Sequence, residues 1–117
     1  MKSKSIEDLQ KKLTDFAQVR NWDKFHSPKN LSVALSVEAA ELNEIFQWLT
    51  EEQSKNLNLQ QSTQAEQEMA DVFLYLLQLS SKLDINILDA AYRKIEINDK
   101  KYPVDTCFGS AKKYNEF

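Results

Sequence analysis

Two pairs of acidic residues give the clearest indication of chemistry in this sequence. Glu38 and Glu41 are three residues apart, and Glu68 and Asp71 repeat that spacing further along the chain. Apolar residues around both pairs recur at three- and four-residue steps, which indicates α-helix. On each helix the first carboxylate lies at the centre of the apolar stripe, and the second lies on one flank of it. The pattern therefore predicts carboxylates that converge between two helices.

Carboxylates in such positions need a positive partner. Burial of an unpaired carboxylate costs several kcal/mol or raises its pKa until the group is neutral. Converging carboxylates also repel one another, so either a divalent cation or nearby basic residues must be present. All-oxygen sites suit Mg²⁺ or Mn²⁺, whereas zinc prefers histidine and cysteine, of which the chain has only His26 and Cys107. The Glu-x-x-His motif of di-iron bundles is absent. We therefore expect Mg²⁺ as the cofactor, with Mn²⁺ as its substitute.

A basic face follows near the end of the chain. Lys94, Asn98 and Lys101 have i, i+4, i+7 spacing and continue the apolar stripe of Ile87 and Ala90. Lysines at the end of such a stripe can extend their ammonium groups into water. Together with the asparagine they can equally form an anion pocket, and the spacing leaves both interpretations open.

Four helices are expected to position these side chains, in an all-α, four-helix-bundle-like subunit that forms one domain over residues 1–117. Ser5 is a plausible N-cap for the first helix, and Ser27 followed by Pro28 is typical of the start of the second. A cap at Asp84 or Asn86 is expected to begin the fourth. The first predicted helix begins at Ile6, and its apolar pattern decays through Arg20, Asn21 and Trp22. The others run from Pro28 to about Leu49, from Thr63 to about Lys82, and from this last cap to just before Pro103. Residues 51–62 are predicted to be a loop, and residues 104–117 an irregular tail.

Composition excludes several classes of protein. The 117 residues contain one glycine, so no glycine-rich phosphate loop can be written, and one cysteine, so no disulfide framework can form within the chain. The formal net charge is -3 and the pI is about 5.2, which do not favour nucleic-acid binding. No signal peptide and no apolar run of membrane-spanning length is evident. We expect a soluble, cytoplasmic protein without a nucleic-acid or membrane partner.

The third predicted helix indicates self-association. Phe73, Leu74 and Leu77 lie away from the Glu68 face, so this helix is apolar on all sides. A helix of this kind is buried all round, and four helices of such length can hardly enclose it within one subunit. We therefore expect a homo-oligomer.

Four stretches of the sequence resemble a known family. They are RNWDKFHSPKNL (20–31), EAAELNEIFQW (38–48), EMADVFLYLL (68–77) and KIEINDKKYPV (94–104). Together they are similar to the MazG-like, all-α nucleoside triphosphate pyrophosphohydrolases, and to their dCTP pyrophosphatase branch in particular. The resemblance implies cleavage of a nucleoside triphosphate between the α- and β-phosphates. It also implies homodimers or homotetramers with sites near the subunit interfaces.

The resemblance assigns roles to individual residues. It implies that Glu38, Glu41, Glu68 and Asp71 ligate Mg²⁺, and that Glu38 or Glu41 positions the attacking water or takes its proton. The broader family often has two adjacent glutamates here, but Val37 precedes Glu38, which favours the dCTP-type branch. Implied contacts with phosphate or sugar are Lys94, Asn98, Lys101 and Tyr102. Candidates for the base pocket are Trp22, Phe25, His26, Phe46, Trp48 and Tyr75.

Two alternatives remain open at this stage. The same bundle could hydrolyse dUTP or a phosphoribosyl-nucleotide instead. A non-catalytic helical oligomerisation module could also use this sequence, with the acidic residues paired to Lys94 and Lys101 across subunits.

Overall fold

The structure is a computed structural model that describes residues 4–110, and every regular element in that range is helical. The all-α class predicted from the sequence is therefore confirmed for these residues. None of the helices in this range is both long and apolar enough to span a membrane. The helices are α1 (Ile6–Val19), α2 (Pro28–Phe46), α3 (Glu51–Ser54), α4 (Leu59–Lys82), α5 (Ile87–Lys101) and α6 (Val104–Cys107), with a short 3₁₀ helix at Asp23–Phe25.

The chain divides into two compact units, Met1–Asp84 and Ile85–Phe117. The first contains α1 to α4, and the second contains α5 and α6. The prediction of one domain over residues 1–117 stays a prediction.

Packing of α4 against α2 and α1 builds the core of the first unit. Its fully buried side chains are few: Leu31 is 1% exposed and Leu77 is 0% exposed. Where α1 contacts α4, the Gln10 side-chain amide donates to the Leu77 carbonyl and to the Ser80 hydroxyl, at 3.3 and 3.2 Å. This contact aligns α1 with the C-terminal half of α4.

The sequence predicts that a second subunit must cover the side of α4 opposite Glu68, but Leu77 on that side is already buried within the chain. Helix α1 covers the C-terminal half of α4, so Leu77 is enclosed within the chain. Phe73, in contrast, remains 43% exposed.

The predicted helix starts are confirmed at three caps. The Ser5 hydroxyl accepts from the Asp8 N–H, the Ser27 hydroxyl accepts from the Asn30 N–H, and Pro28 occupies the first turn of α2. Of the two candidate caps for α5, Asn86 is the one that accepts, from the Asp89 N–H at 3.0 Å.

The predicted loop over residues 51–62 is wrong in two places. The Thr50 and Gln53 side chains form a capping box that begins α3, and Asn58 and Gln61 form a second that begins α4. Each box satisfies backbone N–H groups at a helix start without any apolar periodicity. Helix α4 therefore begins at Leu59, about one turn before the predicted Thr63.

The end of α2 and the segment after α5 also differ from the prediction. Helix α2 ends at Phe46 rather than near Leu49. The predicted irregular tail contains the helical turn α6, because Pro103 provides the carbonyl that accepts from the Cys107 N–H. The rest of that prediction, residues 111–117, lies outside the described residues.

Candidate metal centre and aromatic cleft

Helices α2 and α4 bring three of the four predicted acidic residues together. One carboxylate oxygen from each of Glu38, Glu41 and Glu68 lies within 4.8 Å of the other two. All three side chains are partly buried. The geometry arises because the carboxylates project from the facing stripes of two helices that pack along each other.

Two oxygens of this cluster are buried without a hydrogen-bond partner, namely Oε2 of Glu38 and Oε2 of Glu68. Buried polar atoms are nearly always satisfied in folded proteins, so two orphans in one place indicate a ligand. They face a cluster of negative charge, which excludes another anion as that ligand.

Burial and mutual repulsion perturb the acidity of the cluster. Burial, and then the neighbouring Glu41 and Glu68 carboxyl groups, raise the pKa of Glu38 to about 7. Burial also raises the pKa of Glu68, which the hydrogen bond with Glu38 partly counteracts. Without a cation, protonation is what relieves the repulsion between these carboxyl groups.

Asp71 lies at the edge of the cluster rather than inside it. Its side chain is exposed, and it is outside the group of oxygens within 4.8 Å. Its negative charge nevertheless contributes to the raised pKa of both Glu38 and Glu68, so it lies near the cluster.

A polar cavity of about 390 Å³ opens beside the cluster. Glu44 and Gln64 line it together with Glu41 and Glu68. Sequence analysis did not identify these two polar side chains. The spacing of Glu44 from Glu41, three residues along α2, is the signal that could have indicated it.

The donor set fits a hard divalent cation. It consists of carboxylate oxygens alone, two of which are buried and unpartnered. Mg²⁺ binds one or more carboxylates and keeps other positions for water and phosphate oxygens. The cavity beside the cluster provides room for those remaining ligands.

An aromatic cleft of about 380 Å³ lies on the other side of Asp71. Three of the residues predicted for base binding line it: Trp22, His26 and Tyr75. Asp71 lines the same cleft, so this residue joins the aromatic surface to the carboxylate cluster. The remaining lining residues are Leu9, Lys12, Leu13, Phe16, Ala17, Leu74 and Gln78.

A C-terminal cap on α1 sets the position of Trp22. Asn21 has a left-handed backbone with φ 55°, its N–H donates to the Gln18 carbonyl, and the Trp22 N–H donates to the Ala17 carbonyl. These two bonds form a Schellman motif, and asparagine tolerates the left-handed position better than most residues. The Trp22 ring then packs edge-on against Phe16, at 5.8 Å between ring centres.

The other predicted aromatic residues do not line the cleft of the single chain. Trp48 is 87% exposed and Phe25 is 57% exposed. Phe46 is partly buried at the end of α2.

The predicted phosphate- and sugar-binding residues belong to the second unit. Lys94 and Asn98 are exposed on α5, whereas Lys101 and Tyr102 are partly buried at its C-terminal end. Their spacing keeps Lys94, Asn98 and Lys101 on one face of the helix.

Fold and site together define a class of protein, an all-helical protein with a carboxylate centre between two packed helices. The MazG-like family model matches residues 33–117. The chain belongs to the MazG-like family, which confirms the resemblance predicted from its motifs.

Characterised relatives come from mammals. Human dCTP pyrophosphatase 1 is 32% identical over 114 residues, which cover 96% of this chain and 67% of the human protein. The rat protein of the same name is 34% identical over the same lengths. A crystal structure of a pyrophosphatase from Archaeoglobus fulgidus has 40% sequence identity and a TM-score of 0.81, and the match covers 88% of this chain and 96% of that one.

Proposed function

We propose that this protein is a Mg²⁺-dependent nucleotide pyrophosphohydrolase that cleaves (deoxy)nucleoside triphosphates, dCTP or a related nucleotide, to the monophosphate and pyrophosphate. Its family membership and its similarity to pyrophosphatases support the enzyme class. One structural observation carries the proposal furthest. Two buried, unpartnered carboxylate oxygens lie in a cluster that meets an aromatic cleft at Asp71.

The acidic cluster is assigned to the metal. Glu38, Glu41, Glu68 and Asp71 would hold Mg²⁺, which when bound offsets phosphate charge and lowers the pKa of a water molecule. Glu38 or Glu41 then accepts the proton of the attacking water at a carboxylate oxygen.

The aromatic cleft is assigned to the base. Its volume and its mixture of ring and polar surfaces suit a flat heterocycle. Trp22 and Tyr75 provide faces for stacking, while His26 provides ring nitrogens for hydrogen bonds. Because Asp71 lies between cleft and cluster, a nucleotide bound by its base would direct its phosphates toward the carboxylates.

The remaining predicted contacts belong to the second unit. Lys94, Asn98, Lys101 and Tyr102 are proposed to bind phosphate or sugar, where the ammonium groups stabilise charge on the pyrophosphate leaving group. Trp48, which is exposed in the single chain, is proposed to reach a base only in the assembled oligomer.

We also propose that the protein is a homodimer or homotetramer. Among the described residues, only four hydrophobic side chains are buried: Ala17, Leu31, Ala65 and Leu77. Large apolar side chains stay about half exposed on α2 and α4, the two helices that carry the acidic cluster. They include Val33, Val37, Met69 and Phe73.

A substrate panel tests the proposed function. Purified protein is incubated with Mg²⁺ and each of the common ribo- and deoxynucleoside triphosphates, with dUTP and with a phosphoribosyl-nucleotide, and pyrophosphate release is measured. Faster release from dCTP than from the others supports the proposal. Preference for dUTP or the phosphoribosyl-nucleotide replaces it with a related hydrolase. No release from any of them, in the presence of Mg²⁺, supports the non-catalytic module.

A further inference from the structure

The short segment between α1 and α2 forms part of the aromatic cleft, through Trp22 and His26. Hydrogen bonds fix both of its ends, the first between main-chain groups and the second from the Asn30 side chain. The Schellman motif at Asn21 fixes the start, and the Asn30 amide donates to the Phe25 carbonyl at 2.9 Å to fix the end. These contacts join the segment to α1 and α2, but the opposite part of the cleft belongs to α4.

Among the described residues, one ion pair joins the middle of the segment to α4. Lys82 Nζ, in the last turn of α4, donates to Asp23 Oδ1 at 2.5 Å, across 59 residues of sequence. The Lys82 ammonium accordingly lowers the pKa of Asp23. Asp23 directly follows Trp22, and α4 carries Asp71 and Tyr75 on the other part of the cleft.

Neither member of this pair is among the described residues that line the aromatic cleft. Asp23 and Lys82 instead line an adjoining cavity of about 210 Å³. His26 and Gln78 line both cavities, so the pair lies directly behind the surface that would contact a base.

We propose that Asp23 and Lys82 are a positioning pair for nucleotide binding, which holds Trp22 and His26 against α4 so that they face Tyr75. This inference rests on the proposed function of the cleft. The two side chains are 61% and 34% exposed, and such ion pairs add little to the free energy of unfolding. We therefore expect a modest effect of the pair on nucleotide binding and little effect on the free energy of unfolding.

Kinetics with charge-swapped variants test the pair. Asp23→Lys and Lys82→Asp are prepared singly and together, with Lys55→Gln as the control, because Lys55 is an exposed lysine elsewhere in the same unit. Each single variant is expected to raise KM for the nucleotide about two- to fivefold. Neither should change kcat by as much as twofold, and the double swap should restore KM. Unchanged KM in both single variants, or no recovery in the double swap, would overturn the proposal.

A fluorescence measurement tests the same pair without activity. The chain has two tryptophans, so a Trp48→Phe background leaves Trp22 as the sole tryptophan. In that background, Lys82→Gln is expected to increase acrylamide quenching of Trp22, and Lys55→Gln is not. Equal quenching in all three proteins would contradict the positioning role. Because this measurement needs no substrate, it stays decisive even if no nucleotide is hydrolysed, an outcome that would defeat the proposed function alone.

Discussion

Glu38 on α2 and Glu68 on α4 each bury the oxygen Oε2 without a hydrogen-bond partner, at the point where the two helices pack. A protein seldom leaves one buried acceptor unsatisfied, and here two acidic side chains do so side by side. Burial of these two carboxylates costs free energy when no cation is bound, and a bound cation would offset that cost.

Mg²⁺ should stabilise the protein against heat. A ligand that binds only the folded state adds about 2.7 kcal/mol when its concentration is 100 times Kd. We expect Tm to rise with Mg²⁺ after treatment with a chelator, and the rise to be small or absent in Glu68→Gln. Differential scanning fluorimetry measures both. Glu66→Gln is the matched control, since Glu66 is exposed on the same helix. An equal Mg²⁺-dependent rise in parent and Glu68→Gln would contradict the metal assignment.

Stability of the metal-free protein should fall as pH rises. The folded pKa of Glu38 is about 7, above the ordinary 4.5, so the folded state binds more protons than the unfolded state between these values. The contribution of Glu38 is therefore complete below about pH 4.5 and is lost as pH rises through 7. Urea unfolding at a series of pH values, with chelator present, measures the slope.

Glu38→Gln is the control for this pH dependence. The amide cannot ionise, so the decrease between pH 4.5 and 7 should be smaller in the variant. At pH 8 without metal, Glu38→Gln should be more stable than the parent. Parallel curves for the two proteins would show that the pKa of Glu38 is not raised.

Truncation of Trp22 should weaken nucleotide binding more than it slows chemistry. Stacking of a base on an aromatic ring is worth about 1–3 kcal/mol, so Trp22→Ala is expected to raise KM roughly 5- to 150-fold. Trp22→Phe keeps a ring and should have a smaller effect. Steady-state kinetics separate KM from kcat. A KM for Trp22→Ala equal to that of the parent would remove Trp22 from the base site.

A charge on the exposed apolar surface of α4 should reduce self-association. Phe73 is 43% exposed and Met69, one turn earlier, is 60% exposed. Burial of a carboxylate in an interface is unfavourable, so Phe73→Glu is expected to lower the mass measured by light scattering. Glu66→Lys, on the same helix, serves as the control for a change of charge. A monomeric parent protein at micromolar concentration would contradict the proposed assembly.

The sequence predicts the acidic cluster well because position on a helix is enough to identify it. A glutamate at the centre of an apolar stripe, as at Glu38 and Glu68, is a local anomaly visible without any tertiary structure. By contrast, the start of α4 depends on the capping box at Asn58, in a polar stretch that has no apolar period. The capping patterns T-x-x-Q and N-x-x-Q occur in this stretch, but a prediction based on the spacing of apolar residues does not detect them.

Contacts between distant segments could not be predicted in the same way. Leu77 lies opposite Glu68 on a helical projection, yet it is buried because α1 packs against that end of α4. A projection shows that this side of α4 is apolar, but it does not show whether another helix of the chain or a second subunit covers it. The contact of Lys82 with Asp23 likewise depends on how α4 meets the segment after α1.

Pyrophosphate release from dCTP by the parent protein and by Glu38→Gln tests the central claim most directly. With Mg²⁺, the parent should produce equal amounts of dCMP and pyrophosphate, and chelation should abolish the reaction. Glu38→Gln should be slower by about 10²- to 10⁴-fold, the contribution typical of a general base, while Glu66→Gln should match the parent. Release of inorganic phosphate with dCDP, or parental turnover by Glu38→Gln, would contradict the account.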